Sequence, residues 1–173
     1  MGLRQEAIFI NGVYREVIEE ILLVQEELPE HIMFLQPHSS ERIVRLADDP
    51  PSVDDPVRLF LSTTDELSTV SYTAEIVGWD NKTELPGTRA NVVSRLIWTL
   101  QPREGGLYHV GGGEKPQSTN LLHVWRMREI RKPFSVVELI LTSSGKPHSP
   151  DRSTAGGWSY VRNPNADWLV ERL

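Results

Sequence analysis

A tryptophan followed by three polar residues, Trp79-Asp80-Asn81-Lys82, closes the strongest strand pattern in the chain. A flat indole beside carboxylate and amide groups suits recognition of a planar base, with stacking for affinity and edge hydrogen bonds for identity. The competing reading is an indole that caps the open end of the core. A second group is cationic: Arg126, Arg128, Arg131 and Lys132 form a local basic cluster, suited to nucleic-acid backbone phosphates, in a chain of net charge −6. That net charge argues against tight, sequence-indifferent binding to duplex nucleic acid, which needs a basic face. Recognition of one base or nucleotide in a pocket stays open.

Other chemistries are less well served. The histidines are His31, His38, His109, His123 and His148, with no i, i+4 pair and no cysteine to complete a metal site. Neither metal nor cofactor is expected. The run Gly111-Gly112-Gly113-Glu114-Lys115 lacks the Gly-Lys-Ser/Thr ending of a phosphate loop and reads as a connector that could close as a lid. Ser143 and Lys146 have Ser-x-x-Lys spacing, but in loop-like sequence and without the companion motifs of serine acyl enzymes. No Gly-x-Ser-x-Gly elbow is present, and no acid/base pair stands out from the many surface carboxylates.

The elements that must position these groups follow from periodicity. Residues 7–10 form a short apolar strand, ended by Asn11-Gly12, with Asn11 as a helix N-cap. Over 13–28, Val13, Val17, Ile21, Val24 and Leu28 recur at spacings of three and four, opposite a glutamate-rich side, which predicts an amphipathic helix. Residues 31–36 read as a strand and 43–46 as another short one; 47–56, rich in proline and aspartate, are irregular. Residues 57–62 alternate, and 69–79 alternate with β-branched and aromatic residues, so 57–79 is a hairpin. A second helix starts at Thr88 and ends at Pro102, 103–119 is a Gly-rich loop, and 121–130 is a long strand. Residues 133–141 continue as extended chain or a short turn, 142–157 are loop, and Trp158, Tyr160 and Trp168 dock the C-terminal segment on the core. Trp98 and Trp125 are expected to be core residues.

With 173 residues, 39% hydrophobic and 24% charged, the chain fits one domain with a core of its own. No signal-like segment or membrane-length apolar run occurs, and cysteine is absent, so a cytoplasmic protein with no membrane partner is expected.

Three segments, in order, carry a family resemblance. Asp55-Pro56-Val57-Arg58-Leu59-Phe60-Leu61-Ser62-Thr63, then Tyr72-Thr73-Ala74-Glu75-Ile76-Val77-Gly78, resembles the central hairpin of PUA-like domains of the EVE, ASCH and YTH kind. Trp125 to Leu139, with Lys132-Pro133, is similar to their closing strand. The resemblance covers about residues 7–141 and leaves 142–173 as a docking loop and tail. It implies an α+β fold: a small, curved, mostly antiparallel β-barrel flanked by helices, with a pocket between the first helix and the central strands. Carried over by position, that pocket draws on Asn11, Tyr14, Gln36, His38, Ser39, Ser62, Thr63, Trp79, Asp80 and Asn81. The implied function is non-catalytic binding of a modified base in DNA or RNA, or of a free nucleotide. Two alternatives stand beside it. One is a small hydrolase acting on a modified nucleoside, for which Thr63, Glu75 and Lys82 are the nearest candidates. The other is a protein-interaction module that has lost the pocket and presents its acidic helix.

Overall fold

Period-two alternation yields the expected hairpin: β3 (Val57–Thr63) and β4 (Thr69–Asn81) pair antiparallel, with Leu59 opposite Ala74 and Phe60 opposite Thr73. The computed structural model describes residues 4–37, 42–81, 120–150 and 157–173. The expected second helix and Gly-rich loop, with Lys82, Trp98, His38 and Ser39, lie outside the described residues.

The first strand, β1 (Glu6–Val13), runs through Asn11-Gly12 instead of stopping there. Gly12 has φ of 94°, a conformation that glycine reaches without steric cost, and the β1 register shifts between Ile10 and Val13. The N-cap of α1 (Arg15–Glu27) is therefore Tyr14, not Asn11. Val17, Ile18 and Ile21 of α1 are buried, whereas Leu23 and Leu28 are exposed. After β2 (Met33–Leu35) comes α2 (Val44–Asp48), where a short strand was expected over 43–46. Four residues are too few for apolar spacing to distinguish a period of 2 from 3.6.

The chain then returns as β3 alongside β1 and parallel to it, with Ile8 opposite Leu59 and Ile10 opposite Leu61. Parallel neighbours need a crossover, which α1 begins. β5 (Asn120–Ser135) pairs antiparallel with β4 and β2, and a single 3-10 turn (Val136–Glu138) follows. The C-terminal segment is more than a docked tail: β6 (Gly157–Arg162) pairs antiparallel with β1, and α3 (Ala166–Val170) is capped by Asn165, whose side chain accepts from Asp167 N at 2.9 Å.

Among the described residues the strands form one open, mixed sheet in the order β2-β5-β4-β3-β1-β6. This corrects the barrel expectation. Closure would require β2 and β6 to meet, but they are opposite edges, and the outer edge of β6 is bonded by the 140–142 segment (Arg162 N to Ile140 O 2.8 Å, Thr142 N to Tyr160 O 3.2 Å). The physical reason is that both faces of the central strands are apolar. Ile8, Ile10, Leu59, Leu61, Ala74 and Ile76 pack with Val17, Ile18 and Ile21 of α1 on one face. Ala7, Phe9, Phe60 and Val70 pack with Phe134, Val136, Leu139 and Leu169 on the other. Each large side chain so buried contributes roughly 1.5–3 kcal/mol, and both faces gain only if each has its own cover.

Candidate functional site

The register of β5 against β4 slips by one residue where Glu75 pairs with Trp125 but Thr73 pairs with Arg128. The extra residue forms a β-bulge at Arg126, whose φ of 51° lies in the left-handed region. For a side-chain-bearing residue this costs roughly 1–2 kcal/mol, so something must hold it. The α1 helix does. Gln25 Nε2 donates to Met127 O at 2.8 Å, and Gln25 Oε1 accepts from Met127 N at 2.8 Å. One amide thus satisfies both main-chain groups of the residue that follows the bulge. Bulges of this kind re-aim side chains, and here Trp125 and Arg128 come to the same face although three positions apart.

That face is the one opposite α1. Arg58, Glu75 and Trp125 lie in one row across β3, β4 and β5; Phe60, Thr73 and Arg128 lie in the next. Trp125 Nε1 donates to Glu75 Oε2 at 2.8 Å. The same carboxylate faces Arg126 at 3.8 Å and Arg58 at 3.9 Å. Arg126 also lies over the Trp125 ring, 4.3 Å from its centroid, a cation–π contact. Arg58 is largely buried, with 23% of its side chain exposed, and its Nη1 donates to Thr73 Oγ1 at 3.4 Å. Burial pulls the Arg58 guanidinium below its ordinary pKa; Glu75 opposes that shift and Arg128 adds to it. In the described ion pairs Glu75 is the carboxylate shared by Arg58 and Arg126, and Arg128 meets the main-chain oxygen of Leu173 at 3.2 Å. Among the described ion pairs two guanidiniums thus share one carboxylate, one of them partly desolvated, with Arg128 close enough to Arg58 to disfavour its charge, which leaves the positive charge incompletely matched. An oxyanion with several acceptor atoms would complete it.

Of the expected basic cluster, only Arg126 and Arg128 belong to this group. Arg131 and Lys132 are exposed further along β5, where Lys132 N donates to Arg172 O at 3.0 Å. Arg58 and the role of Trp125 were not foreseen. An arginine inside an otherwise apolar alternating strand is the signal that could have drawn attention to Arg58; its partners are set by non-local pairing.

The expected base pocket does not assemble. Because β4 runs antiparallel to β3, Trp79, Asp80 and Asn81 lie past Val57, whereas Asn11, Tyr14, Ser62 and Thr63 lie at the other end of the sheet, roughly 20 Å away along the strands. Gln36 follows β2, whose Leu35 shares a row with Leu122 and Trp79, so it belongs with the Trp79 end. His38 and Ser39 lie outside the described residues.

At the Trp79 end, the indole N–H donates to Asn120 Oδ1 at 2.9 Å, and the buried Asn120 also accepts from Ile43 N at 2.9 Å. The Trp79 ring packs against the core with Arg42 over it at 5.5 Å. This is the geometry of a core cap. Asp80 meets His123 Nε2 at 2.8 Å. His123 fits there because residue 78 is glycine: a Cβ would come within 2.5 Å of its ring.

At the α1 end, Asn11 and Ser62 are buried scaffold. Ser62 Oγ donates to Asn11 Oδ1 at 2.7 Å and accepts from Gly12 N at 2.8 Å; Asn11 Oδ1 also accepts from Ser68 N at 3.0 Å. Tyr14 is half exposed. Arg15 donates to Asp65 (3.1 Å), Thr63 Oγ1 (3.4 Å) and the Tyr72 hydroxyl (3.4 Å), which ties the start of α1 to β3, β4 and the turn between them. The Thr63 hydroxyl and Arg15 hold the Asp65 carboxyl below the usual range, and the bond to Asp65 raises Arg15. Burial, then Glu129, raises the Tyr72 phenol. Thr63 and Glu75, proposed partners in a hydrolase, thus face different groups at different places, and Lys82 lies outside the described residues. The Ser-x-x-Lys spacing falls in a turn where Ser144 Oγ accepts from Lys146 N at 3.2 Å.

A cavity of about 370 Å³ opens under α2, lined by Arg4, Glu6, Arg45, Asp48, Asp49 and Tyr160 among others. Its cations are already matched: Arg4 bonds Asp49 (3.1 Å) and Asp55 (2.7 Å), and Arg45 pairs with Glu6. Among the described residues no group of His, Asp or Glu is arranged to hold a metal ion, and no helix is long and apolar enough to cross a membrane. In comparisons with known proteins, no family model, no curated protein and no solved structure matches this chain.

Proposed function

We propose that the chain binds, without turning it over, a phosphate-bearing ligand of the nucleotide or single-stranded nucleic-acid kind, held at the β4–β5 bulge. The observation that carries this reading is the sharing of the Glu75 carboxylate by Arg58 and Arg126, with Arg128 near Arg58 on the same face. Guanidinium forks match phosphate oxygens bidentately. Arg126 has 57% of its side chain exposed, so it can leave the Trp125 ring to meet a phosphate. The overall charge of −6 restricts attraction to this patch and disfavours long duplexes. Selection of a modified base rests on the family resemblance alone and forms no part of this proposal.

Fluorescence anisotropy with labelled oligo(dT) and oligo(U), alongside free nucleotides as competitors, tests the reading. Arg126→Glu/Arg128→Glu is expected to lose about 100-fold in affinity, the loss of two charge-assisted contacts and their replacement by repulsion. Equal affinity for wild type and this double variant would refute it.

A second reading has one observation in its favour. Between α1 and the strands, where the base pocket was expected, Val17, Ile18 and Ile21 pack into the core and Arg15 is tied to Thr63 and Tyr72, while Leu23 and the capping Leu28 are exposed beside the glutamates. A protein-interaction module would use that helix. Leu23→Glu would then abolish capture of a partner without touching oligonucleotide binding.

A further inference from the structure

The sheet edge far from the bulge carries a serine–histidine pair that phosphate binding does not use. His148 is buried, with its ring edge-on to Phe9 at a centroid distance of 5.3 Å. His148 Nδ1 lies 3.0 Å from the main-chain oxygen of Ser149. A carbonyl only accepts, so that contact places the imidazole proton on Nδ1 and leaves the Nε2 lone pair facing the other way. Nε2 is 3.2 Å from Ser159 Oγ, so the hydroxyl donates to it. A hydroxyl, a base within hydrogen-bond reach and a third group that orients the base are the three parts of an activated nucleophile. Ser159 is only partly buried, whereas the base is buried.

A second feature of the same face points to a ligand. The acceptors of Asn11 fix its amide: Oδ1 takes the Ser68 main-chain N–H, so the group cannot be flipped, and Nδ2 is left as a buried donor without a partner. Asn11 pairs with Gly157 and Phe9 pairs with Ser159, which makes Asn11 and Ser159 diagonal neighbours on one face of the β1–β6 ladder. Such neighbours stand about 7–8 Å apart at Cα. Gly157, directly across from Asn11, puts no side chain beside it. An unpartnered amide donor on the same face as such a hydroxyl suits a developing oxyanion.

We propose that this edge is an acyl-transfer site with Ser159 as nucleophile and His148 as its base, taking an ester. Ser159 Oγ would add to the carbonyl carbon as its proton passes to His148 Nε2, with the carbonyl oxygen becoming an oxyanion on the face that Asn11 shares. Collapse breaks the bond to the leaving alkoxide, which takes the proton back from Nε2. Water, deprotonated by the same nitrogen, then adds to the acyl-serine and releases the carboxylic acid with Ser159 restored.

The full-length chain, treated with phenylmethanesulfonyl fluoride or an alkyl fluorophosphonate and mapped by peptide mass spectrometry, tests this. Modification of Ser159 is expected to be about 100-fold faster than that of the exposed Ser143 in the same sample, the low end of what a positioned general base supplies. Ser159→Ala should give no such adduct, and His148→Gln should slow it to the Ser143 rate. Hydrolysis of 4-nitrophenyl acetate should follow the same order. Ser159 modified no faster than Ser143 overturns the proposal, as does a His148→Gln protein modified at the wild-type rate. If His148→Gln fails to fold, the Ser159-to-Ser143 ratio in the wild type decides alone.

Discussion

The α1 end of the sheet and the β4–β5 bulge are both rich in polar side chains, yet they spend them differently. Around α1, donors and acceptors close on one another: Ser62 bridges Asn11 and Gly12, and Arg15 gathers Asp65, Thr63 and Tyr72. At the bulge the balance is left open, with Arg58 and Arg126 sharing Glu75 and Arg128 close by. The first arrangement specifies structure, because a buried acceptor shared by several donors, as Asn11 Oδ1 is, favours one conformation. The second keeps charge and a strained backbone in reserve, which is a mark of sites that meet a ligand.

That contrast can be broken first at Asn11. Asn11→Ala removes an acceptor shared by Ser62 and the Ser68 main chain, and is expected to destabilise the fold by about 2 kcal/mol in urea unfolding. Oligonucleotide affinity of the folded protein should not change. A loss of affinity without a loss of stability would place Asn11 in the phosphate site and erase the distinction.

Arg126→Gly sharpens the comparison from the other side. Glycine adopts the left-handed conformation without the side-chain penalty. The variant should be as stable as wild type or more so, while affinity for oligo(dT) falls about tenfold, one charge-assisted contact. Parallel denaturation and anisotropy measurements separate the two effects; a destabilised variant would mean that the Arg126–Trp125 contact matters mainly to folding.

The smallest effect is expected at Asp65. Its folded-state carboxyl is depressed by the Thr63 hydroxyl and Arg15, so its contribution is present above the unfolded-state carboxylate pKa and is lost as pH falls through the lower folded value. Asp65→Asn should flatten the acid limb of the stability profile slightly and leave neutral-pH oligonucleotide binding alone. A changed affinity would link the closed network to the open one.

The sequence made some of this legible. Alternation located β3 and β4 within two residues, and three-and-four spacing located α1, because those patterns are local. What depends on pairing was hidden. Nothing in 57–62 reveals that β1 lies parallel to β3, the pairing that separates Asn11 from Trp79, which the family resemblance had placed in one pocket. One extra residue at Arg126 reverses the facing of everything after it, so Trp125 and Arg128 could not be assigned to one face by counting. Gln25, which holds the bulge, lies about a hundred positions away and looked like one more polar residue on an acidic helix.

The central claim is that phosphate groups neutralise the surplus guanidiniums at the bulge. The most direct test is the salt dependence of oligo(dT) affinity. Three engaged cations predict a slope of about −2 in a plot of log K against log salt concentration for single strands, falling toward zero in Arg126→Glu/Arg128→Glu. Binding with a flat salt response, or a slope the double variant leaves unchanged, would contradict the account.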